Sequence, residues 1–270
     1  MIVFPNAKIN LGLQITEKLP NGYHSINSCL YPIPWSDILE VIPGKKVAFN
    51  ATGIEIPGKK EDDIVLKAYK LLRKDFSLPK VNIHLHKMIP IGAGLGGGSS
   101  DAAFMLKHLN NEAQLFLEES VLEDYAAQIG SDCPFFINNK PATVSGTGTE
   151  LEPIELNLTG MALVVINPGI HVSTSQAYAG VVPKKSTTDL RELLTSKDFA
   201  RWQKELINDF EPGLFEQYPE LPLIKELLYQ NGAAYAAMSG SGSTMFGLFE
   251  NKPSLTFEMA EHWVVKELIL

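Results

Sequence analysis

The run PIGAGLGGGSSDAA, from Pro90 to Ala103, constrains this chain more than any other segment. It sets Gly92, Gly94, Gly96, Gly97 and Gly98 in one short turn, followed by Ser99, Ser100 and Asp101. Glycine loses more backbone freedom on ordering than any other residue, so a turn this rich in it weakens regular structure. Such a turn belongs where backbone must approach another group closely or take a positive φ. Upstream, Val81, Ile83 and Leu85 alternate with Asn82, His84 and His86, which predicts a strand. Downstream, Ser99 or Ser100 suits a helix cap and Asp101 a first turn. Ala102, Met105, Leu106 and Leu109 then form an apolar stripe at helical spacing. Strand, glycine turn and helix start make an anion site, because unpaired N–H groups and the helix dipole face the turn.

Three nucleotide-binding patterns compete. Gly92, Gly94 and Gly97 fit the dinucleotide fingerprint G-x-G-x-x-G, but a glycine run this dense satisfies many templates. A dinucleotide fold would also need a continuously apolar first strand, and 81–86 alternates. GIEIPGKK, Gly53 to Lys60, nearly spells a P-loop but lacks its Ser/Thr and carries Pro57. It reads as a solvated hairpin tip with Lys59 and Lys60 exposed. The third pattern is a phosphate loop of another kind.

The turn resembles the phosphate loop of the GHMP kinases, the superfamily of galactokinase, homoserine kinase and mevalonate kinase. The long form GAGLGGGSSDAA is similar to one branch, whose acceptor is a cytidine-diphosphate-linked methylerythritol of the non-mevalonate isoprenoid route. Three more motifs follow that family's order: NAKINLGLQI with NGYHSI (Asn6–Ile26), IGSDCPFF (Ile129–Phe136) and MSGSGSTMFGLF (Met238–Phe249). The departures are Ser131 and Cys133 beside the aspartate, and Asp63 in a segment like E-D-N.

Composition fits a metabolic enzyme with a real core, since 45% of the 270 residues are hydrophobic. A net charge of −8 disfavours nucleic acid, which selects basic surfaces. Phosphate must then be held by local N–H groups, a lysine and a metal ion. Two cysteines, Cys29 and Cys133, do not make a disulfide framework and point to a reducing, cytoplasmic setting. Pro5, Asn6 and Lys8 interrupt the first apolar run, unlike a signal peptide, and no run reaches membrane-spanning length. The expected partner is a small-molecule substrate, with no nucleic acid and no membrane, for a monomer or weak homodimer.

Strands alternate with helices up to about Thr149. Helices are expected from Asp62/Asp63, from Ser120 to a stop at Gly130, over 190–194, 199–210 and 222–229, and through Phe257, Ala260, Trp263 and Val264. Strands are expected at 162–166, 233–237 and 244–249, the last two flanking the second Gly/Ser turn. The class is α+β. The resemblance implies a two-lobed GHMP kinase fold, with a ribosomal-protein-like ATP-binding lobe over 1–155 and a ferredoxin-like lobe over 156–270.

Asp132 lies after Gly130 and before Pro134, at a helix start that would keep its carboxylate ionised. By position it is either a plain N-cap or a general base. Lys8 sits in an apolar strand, either as an edge gatekeeper or as a cation that holds Asp132 and the developing charge. The resemblance favours the catalytic roles for both. It implies ATP and Mg²⁺, with ATP held by Pro90, Gly92, Gly94, Leu95, Gly96, Gly97, Gly98, Ser99 and Ser100. Asp63, with Leu66 nearby, is a further candidate toward ATP, and Ser99 or Ser100 is the metal-facing hydroxyl. It implies acceptor binding through Asn10, Tyr23, His24, Thr174 and Tyr178, with a cytosine between Tyr23 and Tyr178 and His24 on its edge. His84 and His86 read as a strand's polar face, since a zinc site needs more ligands. Another kinase of the superfamily, for homoserine or a sugar, and a non-catalytic ligand-binding relative are the alternatives.

Overall fold

The computed structural model describes residues 1–185, 188–256 and 260–270. In chain order the strands and helices are β1 (Ile2–Val3), β2 (Asn6–Lys18), β3 (His24–Ser36), β4 (Ile38–Pro43), β5 (Ala48–Gly53), α1 (Ile64–Asp75), β6 (Val81–Lys87), α2 (Gly97–Glu112), α3 (Glu119–Ala127) and α4 (Phe135–Asn138). There follow β7 (Ala142–Ser145), β8 (Glu150–Pro153), β9 (Ala162–Asn167), α5 (Thr174–Ala179), α6 (Leu190–Ser196), α7 (Phe199–Glu205), α8 (Glu211–Gln217), α9 (Glu220–Gln230), β10 (Tyr235–Met238), β11 (Met245–Phe249) and β12 (Val264–Ile269). Among the described residues, no helix is long and apolar enough to cross a membrane.

The chain forms two compact units, and neither is one stretch of sequence. The first comprises Met1–Lys8, Trp35–Ile91 and Gly96–Lys140. Its sheet has the order β1-β4-β6-β5, antiparallel except for β5 against β6. A parallel neighbour needs a crossover, and α1 supplies it. Helix α1 buries Val65, Leu66, Ala68, Tyr69 and Leu72 on one face and packs against α2. Asp63 caps it, accepting from Val65 N at 2.8 Å. Alternation along β6 buries Val81, Ile83 and Leu85 and leaves His84 and His86 partly exposed, both on the Thr52 hydroxyl at 3.0 and 2.9 Å.

The second unit comprises Ile9–Pro34, Gly92–Leu95 and Pro141–Leu270. Its antiparallel sheet β10-β11-β9-β12 is packed with Leu221, Ile224 and Leu228 of α9 and with Phe210 and Leu214. A further sheet has the order β2-β3-β7-β8.

Several expectations change. The Gly53–Lys60 segment is no hairpin tip, because β5 ends at Gly53 and the chain crosses over to a parallel partner; Lys59 and Lys60 are exposed as expected. The 199–210 helix breaks after Glu205. Asn208 accepts from Phe210 N and donates to the carbonyls of Met238 and Gly240, and Pro212 then opens α8. The expected last helix is an edge strand from Val264, paired with β9, because Val264, Val265, Leu268 and Ile269 suit an extended run better than a turn of helix. Phe257 of that expectation lies outside the described residues.

Candidate active site

Helix α2 does not start at the serines. Its N-cap is Gly96, at φ 68° and ψ 14°, and Ser100 N makes a helical bond to Gly96 O at 2.9 Å. A left-handed residue turns the chain abruptly, which glycine does without steric cost. Ser99 and Ser100 therefore fall inside the first turn, and the amides of Gly97, Gly98 and Ser99 precede that bond, as an anion site requires. Asp101 lies one residue beyond that turn and is buried.

Lys8, on β2, reaches Asp132 with Nζ 3.6 Å from Oδ2. Asp132 stands in the turn before α4, capping nothing there, and its side chain is 39% exposed against 4% for Lys8. The helix start expected at Asp132 is displaced to Pro134, because 131–134 form a turn first. Burial lowers the Lys8 pKa, and the carboxylate of Asp132 offsets this only in part. A side chain on Gly96 would come 3.1 Å from Lys8 Cγ and 3.0 Å from Phe136 Cζ. The left-handed start of α2 thus lies against the Lys8 stem; beside Asp132, burial pushes the Cys133 thiol up to about 11, with the Ser99 hydroxyl opposing this in part. Within the first unit, free amides, a buried cation and an accessible carboxylate converge.

The two serines differ. Ser100 is fully buried, and its hydroxyl has no hydrogen-bond partner among the described residues; Ser99 is partly exposed. Asp63 is spent on capping α1, with Leu66 buried beside it. Pro90 leads into the turn, and Leu95 is fully buried within it.

Of the acceptor candidates in the second unit, His24 and Tyr178 come together. Their rings stack at 4.7 Å and 20°, and Tyr178 meets Phe210 edge-on at 4.9 Å. Tyr23 is 66% exposed. The ring on the face of Tyr178 is thus His24, where a cytosine was expected. Asn10 is buried, donating from Nδ2 to Ser28 Oγ at 2.9 Å and from its backbone N to Ser239 Oγ at 3.2 Å. Thr174 begins α5 behind the Ser173 cap and is exposed.

Sequence reasoning missed two supports of this region. One is Ser239 of the second Gly/Ser turn, whose hydroxyl donates to Gly94 O at 2.8 Å. The other is a buried group of Lys87, Asp37 and Asp101. Burial opposes the Lys87 charge, but two carboxylates outweigh it and raise its pKa. Burial, with Asp37 beside it, raises the Asp101 pKa well above its ordinary value despite Lys87. The only sequence signal was a lysine closing an otherwise alternating strand.

Two family models match the chain, GHMP kinases N terminal domain over 63–140 and GHMP kinases C terminal over 190–262. They define the class as a GHMP kinase, an α+β enzyme that phosphorylates small molecules. A 4-diphosphocytidyl-2-C-methyl-D-erythritol kinase of Cytophaga hutchinsonii is 50% identical over 96% of both chains. One of Bacteroides fragilis is 48% identical, covering 95% of this chain and 94% of its own. The crystal structure of a 4-(cytidine 5'-diphospho)-2C-methyl-D-erythritol kinase superposes with a TM-score of 0.79 at 31% identity, over 93% of this chain and 91% of that one. This chain belongs to the 4-diphosphocytidyl-2-C-methyl-D-erythritol kinase family. A homoserine kinase structure, TM-score 0.70 at 14% identity, shares the fold.

The glycines of the loop differ in what they tolerate. A Cβ on Gly94, at φ +78°, would lie 1.9 Å from Ser239 O, whereas one on Gly98 meets only Ile64 Cγ2 at 3.8 Å. Gly94→Ala is expected to cost on the order of 3 kcal/mol or more, and Gly98→Ala to be neutral or to stabilise by up to about 1 kcal/mol. Urea unfolding of both variants checks this; equal midpoints would contradict the close approach at Gly94.

Proposed function

We propose that the protein transfers the γ-phosphoryl group of ATP to the 2-hydroxyl of 4-diphosphocytidyl-2-C-methyl-D-erythritol, as a cytoplasmic enzyme. The observation that carries the reading is the Lys8–Asp132 pair beside the left-handed start of α2. Phosphoryl transfer asks of a protein chiefly positioning and charge neutralisation. The amides of Gly96 to Ser99 and the dipole of α2 hold the donor phosphates, with Pro90, Gly92, Gly94 and Leu95 shaping the approach. Asp63 and Leu66 remain candidates on the adenosine side. Asp132, accessible and held by a buried ammonium, accepts the proton of the acceptor hydroxyl. Lys8 holds that carboxylate in place and offsets charge as it develops on the transferring group.

Among the described residues no three His, Cys, Asp or Glu side chains form a metal cage. Mg²⁺ usually keeps several waters and leans on substrate phosphates, so one hydroxyl at the helix start fits its needs. Ser99 is the candidate, because Ser100 is sealed from solvent. The ion would neutralise phosphate charge there.

The acceptor reading uses His24, Tyr178, Tyr23, Asn10 and Thr174. The Tyr178 face is a stacking platform, and a cytosine takes it by turning His24 outward toward the base edge. Asn10, bonded to Ser28, orders the strand beneath, and Thr174 offers a hydroxyl at an exposed helix start.

Release of ADP with 4-diphosphocytidyl-2-C-methyl-D-erythritol, homoserine and mevalonate side by side tests the reading; turnover of either of the last two in preference to the first overturns it. Asp132→Asn should lower kcat by at least ~100-fold with ATP binding kept. Lys8→Met should also lower kcat, and the double variant should fall short of the product of the two losses. Because burial lowers the Lys8 pKa, the alkaline limb of kcat/KM should fall below the ordinary lysine value and vanish in Lys8→Met. A limb unchanged in that variant would remove Lys8 from the pair.

For the base, Tyr178→Ala should raise the acceptor KM by about 5- to 150-fold, the range of one lost stacking contact, with little change in preference over the uridine analogue. His24→Ala should do the reverse, since a mismatched base edge leaves a polar group unpaired. Kinetics with the CDP and UDP forms separate the two effects; equal losses on both in His24→Ala would show that His24 does not read the base.

A further inference from the structure

Lys87 closes β6 just before the glycine turn, and Asp101 lies in α2 just after it, fourteen residues on. Lys87 Nζ bonds Asp101 Oδ2 at 2.8 Å and also bonds Asp37 Oδ2. All three side chains are buried, at 3%, 1% and 0% exposure. Asp37 stands between β3 and β4 and accepts with Oδ1 from Met88 N at 2.5 Å and Ile89 N at 2.9 Å, the residues that lead into Pro90. A Cβ on Gly97 would lie 3.2 Å from Lys87 Nζ and 2.9 Å from Ile89 Cγ2, so the first residue of α2 rests directly on this group.

Burying these ionisable groups is costly, and apolar residues of similar volume would often give equal or greater stability. A lysine so enclosed also cannot reach a nucleotide phosphate. The position of the group supplies its use. It ties the backbone before the glycine turn to the helix after it, and the turn between holds glycines at φ +64°, +78° and +68° (Gly92, Gly94 and Gly96), where the chain has the most freedom to lose. We infer that Lys87, Asp37 and Asp101 form a buried ionic strut that holds the two ends of the glycine turn at the separation needed for its amides to converge on a phosphate. These are positioning residues, and the inference rests on the reading of the turn as the ATP-phosphate site.

Asp101→Ala removes one arm and leaves Lys87 balanced by Asp37, so no buried charge is stranded. Hydrogen exchange of the free protein should then speed up by about 10-fold or more at the amides of 88–100, with the core strands β4 and β6 unchanged. The KM for ATP should rise by about 10-fold or more, the scale of a small misplacement, with the acceptor KM within about twofold. Asp101→Asn, which keeps an acceptor oxygen for Nζ, should restore most of both. If Asp101→Ala does not fold, Asp101→Leu fills the volume and carries the same expectation. A folded variant with the exchange of the unaltered protein over 88–100, or exchange raised equally throughout the first unit, overturns the strut. Faster exchange confined to 88–100 with unchanged ATP affinity supports the strut and overturns the placement of ATP at this turn.

Discussion

The left-handed conformation of Gly96 is the constraint on which the candidate site depends. It bends the chain from the glycine turn into α2 within one residue, so that the first amides of the helix point back at the turn. A residue with a Cβ there would be strained in its backbone and pressed on Phe136 and the Lys8 stem. The same close packing sets Lys8, and through it Asp132, beside the helix start. The exposed amides of the helix start and the Lys8–Asp132 contact are therefore consequences of one turn.

Two buried lysines of the first unit show how surroundings sort like residues into different tasks. Lys87 has two buried carboxylates in contact, enough to overcome burial and raise its pKa. Lys8 faces the Asp132 carboxylate at 3.6 Å, partly open to water, and its pKa falls. The first arrangement holds a charge in place and suits a support. The second leaves the carboxylate accessible to solvent, as the proposed base requires.

The second Gly/Ser turn is a support of the same order in the second unit. Asn208 holds the carbonyls of Met238 and Gly240, Glu211 accepts from Met238 N at 2.8 Å, and Ser239 donates to Gly94 O. Polar groups this deeply buried must be paired to be tolerated. Each of these pairs also fixes a backbone position in or next to a turn.

Much was legible in the residues alone. The alternation of 81–86 specified β6, because period two has one structural meaning over a short run, and glycine density announced the turn. The family motifs marked Lys8, Asp132, His24 and Tyr178 as site candidates. The sequence could not say where α2 begins, since serine is a good cap wherever it stands, and only the left-handed glycine before it decided the matter. Nor could it show that Val264–Ile269 pairs with β9, because an edge strand depends on a partner distant in the chain. It hid the Lys87 group for the same reason: Asp37 is fifty residues from Lys87, and nothing local marks the pair. By itself the sequence determined what is local or carried by a motif: the strand, the glycine turn, the class of enzyme. The tertiary structure alone decided which charges are buried together and which ring covers Tyr178. Those depend on distances between segments that sequence spacing does not encode.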